Sequence, residues 1–202
     1  MNAEYTSLIG LGTWELQKRE PSDTVIGSMW SYKIKEKSDG SIDKFKARLV
    51  ARGDQQAAST FTDIFAPVIK FVTLRVLLAI ACIMDWDLQQ IDIGNAYCNA
   101  FVTEDYLLMR QPAGFEQYGP NGEELVCRQH CYMQGRIDST AGFDKRLMLI
   151  LTKSAYFYPL LWDPKVLVFN TTKLVGSTTS LHDIIAEGNR VVAEGEDTLP
   201  QQ

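Results

Sequence analysis

Apolar and cationic residues alternate with a period of two in Trp30-Ser31-Tyr32-Lys33-Ile34-Lys35 and again in Lys44-Phe45-Lys46-Ala47-Arg48-Leu49. Successive side chains of a strand point to opposite faces, so each run reads as a strand with one greasy and one charged face. Ser38-Asp39-Gly40-Ser41 lies between them, and Asp-Gly supplies the positive backbone angles that tight hairpin turns require. The two runs therefore predict a β-ribbon. Trp30, Tyr32, Ile34, Phe45, Ala47 and Leu49 fall on one face, and Lys33, Lys35, Lys46 and Arg48 on the other.

Charge is concentrated in this segment. Seven basic residues (Lys33, Lys35, Lys37, Lys44, Lys46, Arg48, Arg52) stand against three acids (Glu36, Asp39, Asp43) in a chain whose net charge is -5. An acidic protein is not a nucleic-acid binder by bulk charge, so any such role rests on the ribbon. Its cationic face fits phosphate binding, where Lys and Arg gain affinity by releasing condensed counterions. It equally fits a solvated edge whose lysines discourage strand-to-strand aggregation.

The remaining pattern is coarser. With 46% hydrophobic and 10% aromatic residues, 202 residues can bury a core as one domain or two small lobes. Thr73 to Asp85 carries apolar residues at 74, 77, 78 and 81, a helical face with Thr73 as N-cap. Leu88 to Ile93 reads as a mostly buried strand ending at Gly94-Asn95. Tyr106 to Arg110, Glu124 to Arg128 and Lys165 to Phe169 read as further strands, and Phe143 to Tyr156 as a second amphipathic helix. Hairpin, helix, strands and helix, without a repeating βαβ series, give an α+β architecture.

The longest apolar run, Val76 to Met84, is too short for a membrane helix, and no secretory signal is visible. An intracellular protein, cytoplasmic or nuclear and not secreted, is expected, with Cys82, Cys98, Cys127 and Cys131 reduced. Cys127, His130 and Cys131 are close enough for a zinc site but lack an evident fourth ligand, and buried thiols are the simpler reading. Asp92 sits among Leu88, Ile91 and Ile93. A carboxylate there is either a turn cap or a metal ligand, since unpaired burial costs several kcal/mol.

Larger blocks narrow the choice. Gly12-Thr13-Trp14-Glu15-Leu16, Ile26-Gly27-Ser28-Met29-Trp30, KIKEKSDGSIDKFKARLVARG from Lys33 to Gly53, and FTDIFAPVIK from Phe61 to Lys70 come first. TLRVLLA from Thr73 to Ala79, QQIDIGNAYCNA from Gln89 to Ala100 and MRQPAGF from Met109 to Phe115 follow in order. This series resembles copia-type retrotransposon reverse transcriptases. The resemblance implies a palm-and-fingers fragment of a right-hand polymerase, an antiparallel sheet with a projecting β-hairpin and packed helices. It divides the chain into a lead at 1–12, the polymerase domain at 13–187 (fingers roughly 26–84, partial palm 85–187) and an acidic tail at 188–202.

It also implies roles. Asp92 resembles the first catalytic, metal-binding carboxylate, with the Ile93 carbonyl as a further ligand to Mg²⁺ or Mn²⁺. Lys46 and Arg48 resemble the fingers residues that hold the incoming triphosphate, and Tyr97 the aromatic residue beneath the sugar. A primer-template of RNA or DNA and a deoxynucleotide would be the partners, with no membrane. The position after Arg52-Gly53, often aromatic in the family, is Asp54.

The pattern then breaks. The family's Tyr-Val-Asp-Asp has only Ser180-Leu181-His182-Asp183 as a candidate counterpart, so the resemblance implies Asp183 as the second catalytic carboxylate, with His182 where its acidic neighbour belongs. Imidazole is a poor Mg²⁺ ligand and brings no negative charge. In Cys131-Tyr132-Met133-Gln134-Gly135-Arg136 only Tyr132 matches the family block in place. The expectation is a polymerase domain with impaired chemistry, or a non-enzymatic nucleic-acid-binding relic that retains the basic hairpin.

Overall fold

The structure, a computed structural model, describes residues 1–61, 63–102, 107–154 and 157–169. The chain forms two compact units, one built from Met1–Phe65 with Gly94–Phe143 and the other from Ala66–Ile93 with Asp144–Gln202. Both helices and strands are present, with strands mostly paired antiparallel, in keeping with an α+β chain.

The first unit opens with α1 (Asn2–Gly10), a segment with no element expected from sequence. Strands β1 (Trp14–Lys18), β2 (Val25–Ile26), β3 (Ser28–Glu36) and β4 (Ile42–Ala51) follow, then β5 (Leu108–Arg110) and β6 (Leu125–Gln129). One sheet has the order β1-β6-β5-β2, with the β2–β5 pair parallel and the others antiparallel. The short parallel pairing departs from the purely antiparallel sheet expected. Leu8, Trp14, Ile26, Leu49, Cys98, Met109, Cys127 and Met133 form the core of this unit.

Strands β3 and β4 make the ribbon, a separate two-stranded sheet. Its register pairs Trp30 with Leu49, Tyr32 with Ala47 and Ile34 with Phe45, as the alternation predicts. The turn is longer than a two-residue hairpin. Gly40 N–H donates to the Lys37 carbonyl at 3.0 Å and Lys37 N–H to the Ser41 carbonyl at 2.8 Å. Only Gly40 has a positive φ, +82°, while Asp39 uses its carboxylate to accept from the Ser41 N–H and hydroxyl. This is the three-residue loop with a left-handed glycine at its end. Those hydrogen bonds from Ser41 also hold the Asp39 carboxyl below its ordinary pKa.

In the second unit α2 (Phe71–Ile83) begins two residues before the expected Thr73 cap, with Lys70 at the N-cap and no side-chain cap of its own. The cap is tertiary. The Asp163 carboxylate accepts the Lys70 N–H at 3.1 Å from 93 positions further along the chain. That bond, with help from the Thr73 hydroxyl and the Lys165 N–H, lowers the Asp163 pKa. At the other end Asp85 has φ +53°, and Trp86 N–H reaches back to the Ala81 carbonyl at 2.9 Å, closing the helix. The hairpin of β7 (Phe157–Pro159) and β8 (Leu167–Phe169) carries Asp163 between its strands.

A depressed carboxyl pKa stabilises the fold above the ordinary carboxylate value and loses that contribution as pH falls through the folded-state value. Wild type is therefore expected to lose melting temperature below about pH 4. Asp163→Asn should melt lower at neutral pH and show a shallower acid limb. Thermal melts between neutral and acid pH check this, and parallel limbs would contradict it.

Two expectations are corrected. Residues 86–93 form no strand, and Leu88 and Ile91 are 67% and 44% exposed. An apolar run becomes a strand only where a neighbour pairs its backbone, and among the described residues none does. The second helix is α3 (Ser139–Leu149), starting four residues before Phe143 and passing into a π-helical turn, Ile150–Ser154. Its start is set by contacts invisible to apolar periodicity: the Ser139 hydroxyl donates to the Met133 carbonyl, and Gly142 N–H to the Asp138 carbonyl at 2.9 Å.

Candidate functional site

The ribbon presents its cations as rungs. Lys33 lies directly opposite Lys46, Lys35 opposite Lys44, and Arg48 opposite Ser31. Five cations thus share one face, and all but the half-buried Lys46 are exposed. None forms an ion pair among the described residues. Like charges directly across an antiparallel pair destabilise it, so this face works against the ribbon's own pairing. Sequence reading placed Lys46 and Arg48 together, and Lys44, two residues before Lys46 on the same strand, joins them on that face.

At the ribbon base the chain is anchored. Ala51 N–H donates to the Gln134 carbonyl at 2.8 Å, and Arg52 N–H to the Gly27 carbonyl at 2.9 Å. Asp54, which departs from the family's aromatic position, takes a bidentate pair of bonds from Arg52 at 2.9 and 2.6 Å. That bond raises the Arg52 pKa and lowers that of Asp54.

Asp92 and Ile93 belong to the second unit and Tyr97 to the first. Asp92 is exposed in an irregular segment, and Ile93 is half-buried. The Asp92 carboxylate makes no hydrogen bond or ion pair among the described residues. Carboxylate and carbonyl oxygens are the donor type that hard divalent ions such as Mg²⁺ take. Among the described residues, however, no group of three or more His, Cys, Asp or Glu side chains gathers to hold an ion. Asp183, with Ser180, Leu181 and His182, lies outside the described residues.

Tyr97 sits in a 3₁₀ turn, Ala96–Asn99, entered through Asn95 at φ +47°. Asn99 Nδ2 donates to the Gly94 and Asn95 carbonyls at 3.3 and 3.1 Å, which fixes the turn. The Tyr97 ring meets Phe143 edge-on, with centroids 6.2 Å apart, and its hydroxyl lies 3.4 Å from the Thr140 hydroxyl. The ring is thus held by α3.

The block from Cys131 to Arg136, which looks degraded in sequence, sends Cys131, Met133 and Arg136 into the interior. Cys131 and Met133 are fully buried. Arg136 donates to Asp138 through Nε at 2.9 Å and Nη2 at 2.7 Å, and through Nη1 to Gln129 Oε1 at 3.2 Å. Its guanidinium lies 4.9 Å from the Tyr132 ring centroid. No sequence signal marked this network, since residues two apart give no sign of being buried together.

The cysteines are free thiols. Burial pushes Cys127 up to about 12 and Cys131 up to about 11, the latter also through Cys98. His130 Nε2 turns to Glu15 at 3.5 Å, across the β1–β6 pair. No helix of the described residues is long and apolar enough to cross a membrane.

The family described as reverse transcriptase (RNA-dependent DNA polymerase) matches residues 11–156. The retrovirus-related Pol polyprotein from transposon RE1 of Arabidopsis thaliana is 38% identical over 131 residues, covering 63% of this chain and 9% of that polyprotein. The corresponding polyprotein from transposon TNT 1-94 of Nicotiana tabacum is 31% identical over 136 residues, covering 67% of this chain and 10% of its own length. An uncharacterized mitochondrial protein of Arabidopsis thaliana is 33% identical over 97 residues, 48% of this chain and 53% of that protein. The chain thus spans only 9% to 10% of the length of these Pol polyproteins. No solved structure matches it.

Proposed function

The chain belongs to the reverse transcriptase (RNA-dependent DNA polymerase) family, and from that membership we propose that it is the fingers and part of the palm of a copia-type polymerase with impaired chemistry. In this reading 13–187 is the polymerase domain, with fingers at roughly 26–84 and partial palm at 85–187. Residues 1–12 are a lead and 188–202 an acidic tail. Lys46 and Arg48 face the incoming triphosphate, and Tyr97 lies beneath its sugar. Asp92, the Ile93 carbonyl and Asp183 would hold Mg²⁺ or Mn²⁺. Bound there, the ion would activate a primer hydroxyl and stabilise the leaving pyrophosphate.

The observation that carries the impairment is Ser180-Leu181-His182-Asp183 in the only place a second carboxylate pair could stand. Two divalent cations need clustered acidic side chains, and a neutral imidazole offsets none of their charge. The altered Cys131 to Arg136 block is a second lesion, since Arg136 is committed to Asp138 and unavailable to a ligand.

Primer extension tests the proposal. Wild type with Mg²⁺, and then with Mn²⁺, is expected to incorporate no more deoxynucleotide than an Asp92→Ala control, and His182→Asp alone is not expected to restore activity. Incorporation above that control, or robust rescue by the single change, would reject the impairment. A second reading, a nucleic-acid-binding relic without chemistry, is favoured by the ribbon cations Lys33, Lys35, Lys44, Lys46 and Arg48, which form no ion pair among the described residues.

A further inference from the structure

Helix α2 is apolar on almost every side, with Arg75 the one charged residue among its 13. A helix of that composition is normally buried. Here the inner face is narrow, with Ala81 buried and Thr73 and Leu77 half-buried. Half a turn away, Val72, Val76, Ala79 and Ile83 follow one another at helical spacing and form a single stripe. The stripe is open, with Val72 and Ile83 72% and 81% exposed.

The charges that flank the stripe are polarised. Lys70 and Arg75 lie toward its N-terminal end, and Asp85 and Asp87 follow its C-terminal end, all four exposed. The two aspartates form no ion pair among the described residues. Lys70 and Asp85 also stand at the ends where the dipole of their own helix disfavours them, since cations are stabilised at a C-terminus and anions at an N-terminus. A parallel neighbour of the same kind would repeat the mismatch. An antiparallel copy of the same helix reverses it, setting base against acid and dipole against dipole.

We propose that α2 is a self-association surface, pairing antiparallel with α2 of a second copy of this chain about a two-fold axis near Ala79. Lys70 and Arg75 of one copy then meet Asp87 and Asp85 of the other, and symmetry makes the same contacts twice. The two apolar stripes cover each other, and the small side chain of Ala79 lets the helix axes approach. The surface is independent of the polymerase reading and of the ribbon.

Sedimentation velocity on the full chain tests the pairing. Wild type is expected to pass from monomer to dimer as concentration rises. Lys70→Glu with Arg75→Glu makes both flanks acidic, and Asp85→Asn with Asp87→Lys leaves them basic, asparagine being used at 85 because it tolerates the φ of +53° there. Each variant alone, its fold checked by circular dichroism, should dimerise at least about tenfold more weakly. An equimolar mixture of the two should recover the wild-type affinity. Cys82 gives a second readout on the wild-type chain, because it lies on the same side of α2 and is exposed, whereas the other three thiols are buried. Its reaction with excess Ellman's reagent should slow as chain concentration rises. A monomer whose Cys82 reacts rapidly at every concentration would overturn the pairing, and so would a monomer whose Cys82 is shielded at every concentration, which would put the cover within the same chain. Self-association that the charge variants leave unchanged, or that their mixture fails to recover, would overturn it as well.

Discussion

Gly135→Ala is expected to unfold the first unit or bring it to the edge of unfolding. Gly135 has φ +96°, where an L side chain is strained. An added Cβ would lie 2.2 Å from the Ala51 carbonyl oxygen and 2.4 Å from Val50 Cγ1. Neither neighbour can retreat easily. Ala51 is the last residue of β4 and is tied to the same loop through its bond to the Gln134 carbonyl. From the other side Gly53 approaches so closely that a Cβ there would stand 2.1 Å from the Gly135 oxygen. Backbone strain of about 1–3 kcal/mol and overpacking of similar size together reach about 2–6 kcal/mol, against a typical total stability of roughly 5–15 kcal/mol. Urea titration checks it, and a midpoint equal to wild type would refute the close packing described.

Asp138→Ala is the second large effect, by a different mechanism. The Arg136 and Asp138 side chains are only 1% and 10% exposed. Removing the carboxylate leaves a guanidinium in the interior with Gln129 Oε1 as the acceptor that remains. Breaking a buried pair from one side costs about 3–5 kcal/mol, whereas replacing both partners by apolar residues of similar volume is often nearly neutral. Asp138→Ala should therefore destabilise more than Arg136→Met combined with Asp138→Leu. Chemical denaturation of the two variants decides. If the double variant is the weaker, the cost lies in lost packing and not in a stranded charge.

The ribbon was legible in sequence because its pairing is local and both faces follow the strand period. The turn type was not, since Asp-Gly serves either a two-residue turn or the three-residue loop found, and only Gly40 takes the left-handed angle. Helix α2 was legible from apolar spacing, but its start was not, because the group that satisfies it, Asp163, is remote in sequence. The run at 88–93 misled because apolar β-type composition describes what a partner strand would bury, not whether one is present. Of the candidate site, Lys46 and Arg48 share the expected face, while Asp92 is placed in an irregular segment and Asp183 lies outside the described residues. The network of Arg136, Asp138 and Gln129 went unread, since charged residues near one another are more often solvated than enclosed.

The first unit's sheet joins strands from both ends of a long stretch of chain: β1 and β2 precede the ribbon, whereas β5 and β6 come well after α2. On the ribosome, Ile26 must wait, unpaired and apolar, until Met109 has been synthesised, and Trp14 until Gln129 has. Of the first unit's strands, those of the ribbon, whose contacts are near neighbours, can close in the meantime. Until β6 emerges the nascent polypeptide therefore exposes sticky strands beside an already formed cationic hairpin, an interval in which a chaperone would be needed most.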